Sequence, residues 1–406
     1  MHFKWRHKNR TIRLSGSRLL IALGCSLLII CADYLLSNLS FPLFDESESL
    51  SLFAYLDSKN IPDQSAEVFC VNTGLDNVLV PVTDEFGDTL GYTQITDRSA
   101  LLRLLEIAGT SHPKYVFLDI RFEKGLDSET DSALFAKMRS MPGFVFAHHR
   151  TINGYELADS SLLDNAALAD YRSNMFSGFS RYEFIQGDEE SVALRAYREL
   201  DGGYLEKRGP VYFSDGGISY NMQFIPLPAN PSSPYGPEGH IRYPYLTSQV
   251  FGEHSDDELR AMMHDKIIII GDFDNDIHQS YVGDMPGPLI HYYAYRFLRD
   301  GRQRVNIFYI IILLVAYTII AYALLGDDDP TERITNFLGI KSPAGIFLFS
   351  FLSWGTVLTA LKIFLYLTYK ISYIASIPTI VFSIIVMPGA YRKIRATKLE
   401  ETGNRN

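Results

Sequence analysis

The chain has 406 residues, 37 basic against 47 acidic side chains for a formal charge of −10, and a mean hydropathy near zero (+0.01). That balance argues against a nucleic-acid partner, because a polyanion would be repelled. Of the 3 cysteines, Cys25 and Cys31 lie inside an apolar run and Cys70 lies alone in the polar middle, so no disulfide can form within that middle region and a disulfide-stapled module is excluded.

Residues 1–18 carry six basic side chains and no acid, and an apolar run follows over residues 19–36. The run is longer than a signal-peptide core and no small-x-small cleavage site follows it. It therefore reads as an uncleaved anchor with its basic flank in the cytoplasm.

Residues 37–304 are polar and turn-rich, as expected of a folded domain outside the membrane. Glu67–Asn72 reads as a first strand, and the Gly- and Asp-rich stretch after it as a hairpin. Asp97 is positioned to cap a helix presenting Leu101, Leu104, Leu105 and Ala108 and stopping at Gly109. Tyr115–Ile120 is a second buried strand, a helix spans about Ser128–Ser140, and Phe144–Ala147 is a third strand closing on His148 and His149. Strands separated by helices predict an α/β domain with a mixed, mostly parallel sheet. Between 151 and 244 antiparallel strands flank a helix at Ser191–Leu200, and a capped helix over Asp256–Met263 leads to Ile267–Ile270.

Those four isoleucines read as a strand buried on both faces. After Gly271 comes an acidic loop, then Pro286-Gly287-Pro288 opens a helix carrying Leu289, Tyr293, Tyr295, Phe297 and Leu298. A strand, a polar loop and a helix in that order place the loop where open α/β sheets hold ligands. Asp272, Asp274, Asp276 and His278 alternate, so a locally extended loop would turn them to one side, where they could hold an ion or an organic ligand; a solvated loop whose acids cap its own turns is the other reading. The spacing is not that of an EF-hand, since Ile277 and Gly283 stand where Gly and Glu are required. Asp119 would share a crevice with Asp272 if their strands are neighbours. At most one of His148 and His149 can join them, because adjacent strand residues face opposite ways. His291 lies in the aromatic helix, either as a packing residue or as part of the site. No nucleophile elbow, Cys–His pair, P-loop or dinucleotide fingerprint is present, so no enzyme and no cofactor is expected.

Three further apolar runs, residues 305–325, 344–361 and 371–387, bring the expected membrane spans to four. Both ends, including the basic tail at 388–406, then lie in the cytoplasm.

The run IIIIGD followed by Asp276, His278, MPG and His291, with YVFLDI upstream and one span before and three after the domain, resembles the type 2 CHASE domain. That is an extracytoplasmic sensory domain of bacterial membrane receptors. The resemblance covers roughly residues 40–390. It implies an inner-membrane, multi-pass sensory protein; the candidate ligand-site residues, read from the strand ends, the acidic loop and the aromatic helix, are Asp119, Asp272, Asp274, Asp276, His278 and His291. Where the family continues into a kinase or cyclase, 19 residues follow the last span here. A signal is therefore expected to leave through a separately encoded membrane or cytoplasmic partner, or through a homo-oligomer at minimum, within the lipid bilayer. The alternative is a structural or assembly subunit whose outer domain is a docking platform.

Overall fold

The computed structural model describes residues 16–38 and 67–324, apart from breaks at 85, 87, 124, 152–153, 156–158, 171–172, 175–177, 180, 225–244 and 281–282. The expected spans at 344–361 and 371–387 and the tail at 388–406 lie outside the described residues. The chain divides into two units, an apolar one containing residues 16–37 and 306–324, and a polar one containing residues 38–305.

The apolar unit contains α1 (Gly16–Ser37), 22 residues long and so about 33 Å, enough to cross a bilayer core. Among the described residues it is the one helix long and apolar enough to do so, and it suits a membrane anchor or a signal sequence. An 18-residue apolar helix, Ile307–Leu324, packs along it. Their shared face buries Ala22 and Ile29 with Leu313 and Tyr317, and the Thr318 hydroxyl donates to Ser26 Oγ at 3.2 Å. In an apolar environment that polar contact favours close approach of the two helices.

The polar unit is built on a six-stranded sheet. In chain order its elements are β1 (Val68–Asn72), the hairpin β2 (Asn77–Thr83) and β3 (Thr89–Thr96), α2 (Arg98–Ser111), β4 (Tyr115–Asp119), α3 (Asp131–Ser140), β5 (Phe144–His148) and β6 (Ala166–Leu168). There follow α4 (Val192–Asp201), the meander β7 (Leu205–Arg208), β8 (Val211–Ser214) and β9 (Gly217–Ser219), then β10 (Tyr245–Leu246), α5 (Thr247–Glu253) and α6 (Asp256–Met263). The last are β11 (Ile267–Gly271), β12 (Ile277–Ser280), β13 (Gly283–Pro286) and α7 (Gly287–Arg299); the apolar helix Ile307–Leu324 is α8.

The sheet order is β10-β1-β11-β4-β5-β6, and every pairing in it is parallel. The expected α/β class is met, with a sheet wholly rather than mostly parallel. β11, last in the chain, lies between β1 and β4, with Gly271 in register with both Asn72 and Asp119. This central place explains the four isoleucines. A strand with neighbours on both edges and helices on both faces has no position left for a polar side chain, and all four are 0% exposed.

Alternation along the strands sorts the two faces. Val116, Leu118, Ile268 and Ile270 join a core completed by α2, α3 and α6. The opposite residues meet α4 and α7: the Phe117 ring lies 5.9 Å from Tyr295, and the Tyr115 hydroxyl donates to Glu199 at 2.8 Å. The caps expected at Asp97 and before Asp256 are present, and Ser191 adds a third. Asp97 accepts from the Ser99 and Ala100 amides, Ser191 from Leu194, and Ser255 forms a capping box with Glu258.

Two boundaries differ from expectation. α2 does not stop at Gly109 but continues to Ser111, ending on a left-handed His112. Gly109 lies inside the helix, facing the Lys137 side chain of α3, and does not end it. The stretch between β11 and α7 is not one loop, since it folds back as the antiparallel pair β12 and β13.

Candidate functional site

In a parallel sheet the strands end together, and ligands collect where their carboxyl ends diverge. Here β1, β11, β4 and β5 end side by side, and a cleft of roughly 600 Å³ opens above them. Thr73 follows β1, Asp272 follows β11, Asp119 ends β4, and His149 follows β5; Asp276 and His278 enter from the acidic loop. Four of the six residues expected at a site, Asp119, Asp272, Asp276 and His278, therefore line one cavity.

They do not line it in the way their alternation implied. The chain turns sharply at 272–275 instead of running extended. Asp272 Oδ1 accepts from the amides of Asp274 (2.9 Å) and Asn275 (2.8 Å), and Oδ2 from the Asn275 side chain (2.9 Å). It caps its own turn. Asp274 is drawn away from the cleft by Asn72, whose Nδ2 donates to it at 2.8 Å. Asp276 and His278 do come together, with Nε2 to Oδ1 at 2.8 Å. The four side chains thus form a turn cap, a tether and a pair. Among the described residues no group of three or more His, Cys, Asp or Glu side chains is arranged to hold a metal ion.

Asn72 organises this loop and carried no signal of its own in the sequence. Its Oδ1 accepts from Gly74 (2.9 Å) and Phe273 (3.1 Å) while its Nδ2 holds Asp274, so one amide ties the ends of β1 and β11 together. Arg121 and Arg150 line the cleft without having been singled out. The signal for both was position, each lying within two residues of a strand end. His148 and His149 divide as adjacent residues must. His148 is buried and its pKa lowered by burial, while His149 faces the cleft with Nδ1 2.8 Å from Asp170. That hydrogen bond raises the imidazole's pKa despite partial burial. Burial opposes ionisation of Asp170, but hydrogen bonds from His149 and the Arg150 amide hold its pKa below the usual carboxylate value.

His291 lies beneath the cleft, not in its lining. It is 2% exposed on α7, with Nδ1 2.8 Å from the fully buried Tyr182 hydroxyl. Nε2 is 3.7 Å from Asp119 Oδ2, too far for a hydrogen bond. The two are not an ion pair either. Burial pushes the Asp119 carboxyl up to about 8, with the Asp276 charge adding to it and His149 opposing. Burial takes His291 down to about 3. Both groups therefore favour their neutral forms near neutrality, and Asp119 Oδ2 is left buried without a hydrogen-bond partner.

α7 closes the back of the site. A Cβ on Gly271 would lie 2.5 Å from Pro288 Cγ and 3.0 Å from the Asp119 carbonyl oxygen. At Gly287 a Cβ would lie 2.0 Å from Asp276 Oδ2, and the Gly287 amide donates to the Asp276 carbonyl at 2.9 Å. Glycine at these two positions lets the helix start directly against β11 and the acidic loop. No family model matches the chain, and neither the curated proteins nor the solved structures include a match to it.

Proposed function

We propose that the chain is a membrane-anchored, multi-pass sensory protein whose outer domain holds a small ligand in the cleft above β1, β11, β4 and β5. Its change of state would pass through α7 and the membrane helices to a separately encoded partner. The observation that carries this reading is the double role of α7. Its first turn is packed against the cleft at Gly271 and Asp276, and its last residue, Arg299, is followed by seven residues before the apolar helix begins at Ile307. A ligand that repositions Asp276 displaces one end of a helix whose other end leads to the membrane segment, and it biases the equilibrium by its differential affinity for the two positions. The resemblance to the type 2 CHASE domain rests on the motif residues and points the same way. The reading assigns the cleft no catalytic step and places the domain outside the cytoplasm in a bacterial inner membrane.

The test is a thermal-shift screen of the purified full chain against small metabolites, followed by the same screen on a double Asp276→Ala, His278→Ala variant. A ligand-induced rise that the variant loses, with its ligand-free melting temperature close to wild type, supports the reading. Screening hits that stabilise both proteins alike would count against it.

A specific observation favours the docking-platform alternative. On the hairpin, β2 and β3 place Leu79, Pro81, Leu90 and Tyr92 on one face, and Leu79, Leu90 and Tyr92 are 66%, 71% and 70% exposed, with Phe86 at the turn 89% exposed. Exposed apolar side chains grouped on a projecting hairpin suit a protein partner. Loss of a cross-linked partner on Leu79→Ser with Tyr92→Ser, in a protein whose cleft binds nothing, would favour the assembly role.

A further inference from the structure

The usual ligand at the carboxyl ends of parallel strands is an anion held by helix N-termini. In this cleft those positions are occupied by the chain's own carboxylates. Asp97 caps α2 immediately after the cleft residue Thr96, and Asp276 is pressed against Gly287 at the start of α7. The guanidinium groups on the wall are engaged as well, Arg121 with Glu123 at 3.1 Å and Arg150 with Glu189. What the cleft retains is an unmatched acceptor. Asp119 lines it and its side chain accepts no hydrogen bond among the described residues; Oδ2 is buried 3.7 Å from the His291 ring, itself 2% exposed, so Oδ1 is the oxygen offered to a ligand. A metal ion would find no chelating set, since Asp272 spends both oxygens on its own turn and Asp276 is bound to His278.

We propose that the cleft takes a small organic cation, a protonated primary amine, with Asp119 as its counter-ion. This rests on the reading of the cleft as a ligand site. An ammonium group supplies the donors that Asp119 lacks and a charge that needs no further ligands, and charge-assisted hydrogen bonds of this kind are the stronger ones. The groups facing Asp119 are Asp276 and His278 from the acidic loop, His149 beyond β5, and His291 on α7 backed by Tyr182. His278 and His149 are paired to Asp276 and Asp170, so none of the three histidines supplies Asp119 with a matching hydrogen bond. Because burial keeps the Asp119 carboxyl protonated up to about 8, arrival of the ammonium group ionises it. The carboxyl proton leaves to solvent, and the ammonium N–H donates to the resulting carboxylate.

The experiment is calorimetric titration of the full chain in lipid nanodiscs with putrescine, butanediol and inorganic phosphate, in two buffers of different ionisation enthalpy. Putrescine is expected to bind and to release a proton, visible as a buffer-dependent heat. Asp119→Asn, which keeps the shape and removes the charge, is expected to weaken it roughly tenfold or more, with its unfolding transition retained. Phosphate or butanediol binding in place of putrescine overturns the cation assignment while leaving the cleft a ligand site. Putrescine binding that is undiminished by Asp119→Asn also overturns it. Absence of binding by all three, together with a featureless metabolite screen, overturns both readings.

Discussion

The Tyr182 hydroxyl lies 2.8 Å from His291 Nδ1 across 109 residues of sequence, and both side chains are buried. Tyr182 belongs to a short strand, Arg181–Glu183, paired with Met222–Phe224, so this bond ties that antiparallel pair to the helix behind the cleft. Tyr182→Phe should cost about 1 kcal/mol, with a further penalty of similar size for the His291 nitrogen left unpaired. Urea unfolding at neutral pH measures it, and an unchanged midpoint would mean that the bond contributes nothing net.

The pH dependence of stability should carry two opposed contributions. His291 is held near 3 in the fold against an ordinary 6.5. Its share of stability is thus complete above pH 6.5 and is lost as the pH falls toward 3, because there the unfolded chain binds the extra proton. Asp119 has the reverse sign. With its folded value raised from 3.8 to about 8, the fold loses stability as the pH rises from about 4 to about 8. Asp119→Asn should therefore gain most over wild type at pH 8 and least at pH 4, and its stability should fall more plainly on the acid side, where His291 acts unopposed. Thermal melts across that range check the sign.

Gly271→Ala places a methyl group 2.5 Å from Pro288 Cγ and 3.0 Å from the Asp119 carbonyl. Overpacking of this kind costs about 1–3 kcal/mol. Since the yielding group is the proline that opens α7, the same substitution should weaken ligand binding in the cleft. A melting temperature equal to wild type would show that α7 can shift freely at this end.

Arg98, 2% exposed, lies 3.6 Å from Asp131, stacks on Phe122 at 4.2 Å, and donates to the Arg121 carbonyl at 3.2 Å. Removing Asp131 by Asp131→Ala leaves a buried guanidinium without its partner and should cost about 3–5 kcal/mol. Replacing Arg98 together with Asp131 by Met and Leu should recover much of that loss. The denaturant midpoints of the single and double variants decide between an ion pair that stabilises and one that is merely tolerated.

The sheet and its helices were legible because hydrophobic alternation and caps are local signals. Ile267–Ile270, Tyr115–Asp119 and the Asp97 cap could be read from a few neighbouring residues. The edge strands were not, since Ala166–Leu168 and Tyr245–Leu246 are too short to show a period. At the site, the residue list was largely recoverable from strand ends, whereas the arrangement was not. Whether Asp272, Asp274 and Asp276 face one way depends on the turn, and the turn depends on Asn72, about 200 positions earlier. Arg121 and Arg150 become visible only once β4 and β5 are known to be neighbours.

The place of β11 also bears on how the domain is made. On the ribosome β1 and β4 emerge first, yet they pair with each other nowhere; each pairs with a strand synthesised roughly 150 to 200 residues later. Until Ile267–Gly271 is delivered, the two halves of the sheet have facing open edges and no shared ladder, and unpaired edges of that kind invite association between chains. Synthesis therefore has to pass residue 271 before the fold can close, and α8 begins only 36 positions after Gly271. Chains truncated before residue 271 should remain proteolytically soft along their whole length, whereas supplying residues 256–300 as a separate segment should restore resistance. The last strand to arrive is the one that makes the sheet a single object.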